Sequence, residues 1–519
     1  MNILYLTQSG GFRLFWDLAK AVSERTGGKA GFYVADSRFY EAYKRSSQEA
    51  SDIEAAPTVK EWEIIAAARR ETPDIAFLAV KEKELGDPVL WNALVADRRI
   101  YLGKRATLEQ DYRPQFSHDR MLSILQVAIR EMEHLFDQIQ PNAVVGFICV
   151  TIGEYLAYLI AKNRRIPFVN LRPTRIRNYF FAGEGVSEPS ERLRRHYEGM
   201  RQGSGRAKVL ETAQDVLQAM RSGNAMYEGV LPAGPARQTA MGGGDGKWRR
   251  RLGMMGRIPK DFWDCRFGAF RYDTHYKGPF HPLFFKAVKQ PSRRMGYGRY
   301  LRGRYVSRGD LPRMQYAFFP LHKEPEVTLL VYSRPFMNQI EVVRNLARSL
   351  PVGMRLVVKE HPACVGYRPL QYYRKLLEIP NVVMVPPEMD SRSVLEHTSL
   401  VCIISGSIGL EALVMKKPVV HLGRVPFEIL PDRMIQRIRD PEQTAAVVQE
   451  MLSSHRHDED ALVSFIGAVI DLSVPVDFYS ILLGRTGVYR SPAGREETFE
   501  AQINRLSAYV IHTIQESQA

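Results

Sequence analysis

Cysteine is scarce. Cys149, Cys265, Cys364 and Cys402 are the only four in 519 residues, and no two stand at a metal-ligand or redox spacing. That excludes a disulfide framework and a cysteine-built zinc site, and it points to a reducing, cytoplasmic setting. The amino terminus, MNILYLTQSGGF, lacks the basic stretch and long apolar run of a secretory signal. The nearest approach to a membrane span is residues 143–161, with Glu154 as its single charge. Its β-branched first half, glycine break and helix-like second half read as a buried strand feeding a helix. There is no Walker A sequence and no G-x-G-x-x-G after the first strand. No carboxylate cluster suggests a metal, so the expected chemistry is metal-independent and uses no cofactor.

What is abundant is positive charge, and it is concentrated. From Lys247 to Arg313 there are 18 Lys and Arg against 4 Asp and Glu, so one segment holds nearly all of the formal net charge of +15. The same segment interleaves aromatics, as in DFWDCRFGAFRYDTHYKGPFHPLFF and RRMGYGRYLRGRY. Rings among cations suit a surface at lipid headgroups or a lipid-linked acceptor. RNA contact by stacking is a second reading, without an RNA-binding motif behind it. A basic face packed on the core through its aromatics is the third. The expectation is peripheral contact with the cytoplasmic face of the inner membrane through residues 247–313, with no nucleic-acid partner.

At this length one hydrophobic core is not enough, and two domains are expected. NILYLT, GKAGFYVAD, PDIAFLAV, NAVVGFICV and IPFVNLRP read as strands, separated by helical periodicity at Phe12–Arg25, 118–138 and 154–163. Residues 190–221 read as polar helix, and 232–247 as a Gly- and Pro-rich flexible stretch. After residue 315 alternation resumes. YAFFPLH, VTLLVYS, MRLVVKEHP, NVVMVP, LVCIIS and PVVHLG read as strands, with helices at 338–349, 369–378, 391–397 and 407–415. An amphipathic helix closes the chain near 496–515. The architecture expected is α/β: two doubly wound domains with parallel sheets. The first spans 1–230 on the acceptor side, 231–315 forms a linker and basic segment, 316–470 the second domain, and 471–519 a tail packing back on the first.

Ligands of such sheets bind beyond the carboxyl ends of strands. Three exits of the second domain draw attention: LLVYSRPF with Arg334, VVKEHP with Lys359 and His361, and CIISGSIGLE with Ser405, Gly406 and Ser407 leading into a helix. A serine- and glycine-lined turn before a helix can cradle a phosphate, or can be a simple N-cap. Lys359 and His361 supply a cation and a donor to the same anion. Glu360 falls on the opposite side of the strand by alternation. Glu411, one turn into the helix, can accept from ribose hydroxyls. The VPPEMDS exit at Val385 to Asp390 reads as a base-edge contact or as a plain turn, and QSGGFRLF at residues 8–15 as a tight strand-to-helix turn.

The runs FFPLHKEPEVT, MNQIEVVRNLARSLPVGMRLVVKEHP and DSRSVLEHTSLVCIISGSIGLEALVMKKPVVHLG together resemble the capsule polysaccharide biosynthesis family of GT-B glycosyltransferases, over roughly residues 316–425. That family includes bacterial β-Kdo transferases using CMP-Kdo. The resemblance implies a GT-B-like fold with two Rossmann-type domains facing a cleft. It implies transfer of an acidic sugar from a CMP-activated donor, which is a substrate and not a cofactor, to a surface polysaccharide or lipid-linked acceptor, with retention. It puts His361, Lys359, Ser405, Gly406, Ser407 and Glu411 on the donor nucleotide. A catalytic carboxylate in the first domain is implied as well, and Asp36 and Glu154 are the two that the pattern puts at strand exits, each with a cap or ion-pair role as the alternative. Arg172, Arg175 and Arg177 can hold the anionic sugar or acceptor, or form a solvated face. The competing readings are a GT-B transferase using a UDP-sugar or CDP-glycerol, and a non-catalytic glycan- or membrane-binding scaffold.

Overall fold

The structure, a computed structural model, describes residues 1–103, 105–106, 114–230, 258–268, 270–490 and 497–518. The flexible stretch expected at 232–247 lies outside the described residues, as does the start of the basic segment.

Two sheets organise the chain. The first contains β1 (Ile3–Thr7), β2 (Ala30–Val34), β3 (Thr58–Lys60), β4 (Ala143–Phe147), β5 (Phe168–Pro173) and β6 (Tyr179–Gly183). The second contains β7 (Tyr316–Pro320), β8 (Arg355–Lys359), β9 (Val382–Val385), β10 (Leu400–Ile403), β11 (Val419–His421) and β12 (Ile435–Arg437). A last strand, β13 (Ser473–Pro475), returns to the first sheet. The orders are β13-β6-β5-β4-β1-β2-β3 and β12-β11-β10-β7-β8-β9. The second sheet is parallel throughout, and the first is parallel except at β6 and β13. Both are therefore doubly wound, as the alternation of strands and helices predicts.

Strand alternation divides each core in two. Ile3 and Tyr5 pack under the helix Phe12–Thr26, while Leu4 and Leu6 face the helices His118–Ile139 and Ile152–Asn163. In the second sheet Phe318, Val357 and Ile403 share one layer, and Phe319, Val358 and Cys402 the other. Parallel strands buried on both faces read as continuous apolar runs, which is why these segments were legible. The closing helix Phe499–Gln518 packs on the first helix through Ile503, Leu506, Val510 and Ile514.

Three expectations are corrected. PDIAFLAV is not a strand: Asp74 caps a helix Ile75–Leu85 by accepting from the Phe77 N–H at 3.0 Å, and that helix buries Leu78 and Leu85. VTLLVYS is not a strand either. Val327–Leu330 is a short helix, and its Leu330 with the following Val331 joins the core of the first domain, so the run is apolar because it is an interdomain contact. Finally, the interval 1–230 is not confined to the first domain, because the helix Ala207–Arg221 packs on the helix Glu459–Asp471 against the second sheet.

Leu506 is fully buried in the closing helix. Leu506→Ala is expected to lower the unfolding free energy by about 2–5 kcal/mol, read from a urea or guanidinium transition; a smaller loss would mean that the tail is not part of the cooperative core.

Candidate active site between the two domains

In the second sheet the strand order reverses between β7 and β10, and a doubly wound sheet opens a crevice at that point. The β7 exit brings His322 there. The β10 exit brings Ser405, Gly406 and Ser407. Between them the His322 ring accepts the Ser405 N–H at Nε2 (3.2 Å). A Cβ at position 406 would lie 2.9 Å from the ring, so glycine lets turn and imidazole meet. Burial, Arg368 and His361 push the His322 pKa down to about 4. The ring is therefore neutral at physiological pH, with its proton on Nδ1 once Nε2 accepts.

His322 is held by its own backbone. Its N–H donates to the Gln339 side chain (2.7 Å), and its carbonyl accepts from Gln339 Nε2 (3.0 Å) and Arg368 Nη2 (2.5 Å). Arg368 is in turn paired with Glu360, and both are fully buried. Glu360 also accepts from the Tyr373 hydroxyl (2.8 Å) and the His361 N–H (2.7 Å). Alternation along β8 thus sends Glu360 into the interior while Lys359 and His361 face the other way. The buried pair joins the loops that carry His322 and His361.

Of the sequence-predicted donor contacts, Lys359 lies buried at the end of β8, where desolvation lowers its pKa against the charges of Asp390, Glu360, Glu388 and Glu411. Glu411 is held above the usual carboxylate range by burial, with Arg175 acting against the shift. His361 keeps an exposed edge, its Nδ1 accepting from the Ala363 N–H (3.1 Å). Ser407 does not cap the helix Ile408–Val414: its hydroxyl makes no cap hydrogen bond and instead accepts from Arg175 Nη1 (3.2 Å). The N-cap reading of the turn therefore fails. The Ser405 hydroxyl, by contrast, is spent on the Arg424 carbonyl (2.8 Å). Among the described residues the backbone N–H groups of Gly406 and Ser407 have no backbone partner.

Arg334 is not brought to this turn. Having no strand behind it, it sits on the turn Arg334–Phe336 and donates to the Tyr155 hydroxyl of the first domain (3.2 Å). The three arginines also separate. Arg175 reaches the cleft and donates to the Tyr227 hydroxyl as well (3.2 Å). Arg172 is buried and paired with Glu188, so its charge is already compensated. Arg177 lines a different depression with Met220 and Tyr489. The pocket between the domains has a volume near 190 Å³ and is lined by Arg172, Arg175, Tyr332, Ser405, Gly406, Ser407 and Arg424, among others.

Neither proposed catalytic carboxylate lines that pocket. Glu154 completes a capping box: Thr151 accepts its N–H, and its own carboxylate accepts the Val150 and Thr151 N–H groups at 2.7 and 2.9 Å. Burial pushes its pKa up to about 8. Asp36 caps the helix Ser37–Ser46, and burial beside Asp273 pushes it up to about 6. Asp36 lies 3.6 Å from His275, which comes from the basic segment. That segment enters the carboxyl edge of the first sheet, with Asp273 accepting from the Ser37 hydroxyl (2.5 Å) and Thr274 donating to Glu61 (2.9 Å). Sequence reasoning passes over His322, His275 and Asp273. Only His322 carries a signal, since it ends an apolar run as His361 does. Among the described residues no group of three His, Cys, Asp or Glu is arranged to hold a metal.

Residues 336–434 match a family model described as "Capsule polysaccharide biosynthesis protein". No curated protein matches the chain. Among solved structures, the Thermosulfurimonas dismutans KpsC beta Kdo 2,4 transferase is 13% identical with a TM-score of 0.36, over 71% of this chain and 87% of that one. The beta Kdo 2,7 transferase of the same KpsC is 13% identical with a TM-score of 0.35, over 73% and 89%. The UDP-GlcNAc 2-epimerase from Neisseria meningitidis is 9% identical with a TM-score of 0.24, over 91% and 98%.

Two outcomes test the geometry. Glu360→Ala leaves Arg368 buried without its carboxylate and is expected to cost about 3–5 kcal/mol, with stability largely regained when Arg368→Met is added; equal losses in single and double variants would refute the pairing. Because the His322 pKa is depressed, the unfolded chain binds a proton between about pH 6.5 and 4 that the folded chain refuses. Stability contributed by the neutral ring is complete above pH 6.5 and falls as pH drops through that window. Thermal melts of wild type and His322→Gln should converge as pH approaches 4.

Proposed function

We propose, from the match of residues 336–434 to the capsule polysaccharide biosynthesis family model, that this protein is a glycosyltransferase. It takes an acidic sugar, Kdo, from a CMP-activated donor and transfers it with retention to a surface polysaccharide or lipid-linked acceptor at the cytoplasmic face of the inner membrane. The observation that carries the reading is the meeting of Arg175 and Ser407 across the cleft, beside a glycine turn whose Gly406 and Ser407 N–H groups have no backbone partner among the described residues, at the switch point of the second sheet. A phosphate there would accept from backbone N–H groups and, in a charge-assisted hydrogen bond, from a guanidinium.

Lys359 and His361 then approach the nucleotide from the β8 side, and Glu411 serves the ribose. The acidic sugar faces the first domain, where Asp36 is the better of the two carboxylate candidates. Its pKa near 6 leaves it ionised at neutral pH yet basic enough to act on a reacting centre. Glu154 spends Oε2 on two backbone N–H groups while its Oε1 is buried without a hydrogen-bond partner among the described residues, and burial, which pushes its pKa up to about 8, keeps it largely protonated at neutral pH, so it stands second to Asp36.

CMP is expected to raise the melting temperature of the wild type more than CDP or UDP, since a ligand that binds only the folded state stabilises it by mass action. Arg175→Ala and His361→Ala should each weaken CMP by roughly tenfold or more, the usual worth of a hydrogen bond to a charged group. Transfer from CMP-Kdo should be lost in Asp36→Asn with CMP binding intact. A larger shift with UDP or CDP would favour another donor, and undiminished transfer in His361→Ala would remove that residue from the site.

A further inference from the structure

Fourteen large apolar side chains stand exposed on the described surface, and eight of them fall between Phe262 and Met295. Phe262, Trp263 and Phe267 project from a helix at 258–266 and the turn after it, with Trp263 63% exposed. Phe280, Phe284 and Val288 follow at helical four-residue spacing on the next helical stretch, and Met295 continues the stripe. The two helices form one patch, because the Phe262 and Phe280 rings meet edge to face at 5.6 Å.

This face is not a core surface left unpacked. The other side of the same stretch is already anchored on the second domain. Phe285 and Leu301 are buried there, Tyr297 meets the Tyr373 ring at 4.5 Å, and Arg294 Nε donates to the Val365 carbonyl at 3.2 Å. The apolar side chains stand among cations. Residues 258–302 contain ten Lys and Arg against three Asp and Glu, and Lys260, Arg266, Lys286 and Arg299 are exposed beside the rings.

We infer that this patch docks on an anionic lipid bilayer, with Trp263, Phe267 and Phe284 entering the headgroup boundary and Lys260, Lys286 and Arg299 meeting lipid phosphates. Rings interspersed with cations on helices lying flat match the demands of that boundary: apolar area to bury and negative charge to neutralise. An acidic protein partner would use the charge but would leave this many separated rings without a pocket. Among the described residues no helix is long and apolar enough to cross a membrane, so the contact is peripheral. The inference is independent of the donor chemistry. It does place the bilayer beside the acceptor side, because the segment runs from Phe270 through Asp273 and His275 into the carboxyl edge of the first sheet at Ser37 and Asp36.

The test is sedimentation of the full chain with vesicles of phosphatidylcholine alone or mixed with phosphatidylglycerol. At low salt the mixed vesicles should bind at least about tenfold more tightly, and salt should weaken the binding. Trp263→Ser with Phe284→Ser, and separately Lys260→Glu with Lys286→Glu, should each remove most of it while the melting shift with CMP stays as in the wild type. That control separates loss of docking from failure of the donor site. As a measurement on a minimally changed chain, brominated lipid should quench tryptophan fluorescence, and Trp263→Phe should remove that quenching. Equal binding by the apolar double variant would overturn the inference. So would absence of quenching, patch-dependent dimerisation without vesicle binding, or binding to RNA in place of vesicles.

Discussion

Glu360 and Arg368 form an ion pair with no access to water, and the candidate site hangs from it. A buried charge pair needs further hydrogen bonds to offset the loss of water. Here Tyr373 and the His361 N–H complete the carboxylate, and the His322 carbonyl accepts from the guanidinium, whose Nε is left without a hydrogen-bond partner among the described residues. Two loops leaving neighbouring strands are thereby fixed to one internal point. The imidazole of His322 then has one orientation against Ser405, and the glycine turn has one position relative to His361. A hydrophobic pair of equal volume would fill the same space but would not orient two backbone loops.

Across the cleft the contacts are polar and few in kind. Arg175 reaches Ser407, Arg334 reaches Tyr155, and Arg98 reaches the Pro325 carbonyl at 2.8 Å. Arg175 is exposed and can exchange its partner for a ligand at modest cost, while Arg98 and Arg334 are more deeply set, and the apolar contact of Leu330 and Val331 with the first domain holds the two bodies together. The basic segment does two jobs with different residues. Asp273, Thr274 and His275 satisfy buried polar groups at the edge of the first sheet, while its arginines and aromatics cover the second domain and leave one face outside.

Most of the strands were readable because parallel strands buried on both faces must be apolar along their whole length. The same rule misled at Val327–Leu330, where an apolar run is demanded by the neighbouring domain and not by a sheet. It misled at residues 75–80, where Asp74 and a one-sided burial pattern make a helix. The turn Ser405–Gly406–Ser407 was visible as a candidate, but its meaning depended on where the Ser407 hydroxyl pointed. Its partner, Arg175, lies 232 residues away in the chain.

The amino-acid order alone determined the two doubly wound domains, the glycine turn after β10, the opposite faces of Lys359 and Glu360, and the confinement of positive charge to one segment. These follow from periodicity and composition, which act over a few residues. Tertiary structure decided which charges are spent. It turned Glu154 into a capping box, compensated Arg172 with Glu188, drew Arg334 to Tyr155 and brought His322 to the switch point. A polar side chain is free for a ligand only if folding leaves it unpaired, and its partners come from distant parts of the chain, so only the folded packing could tell the committed residues from the available ones.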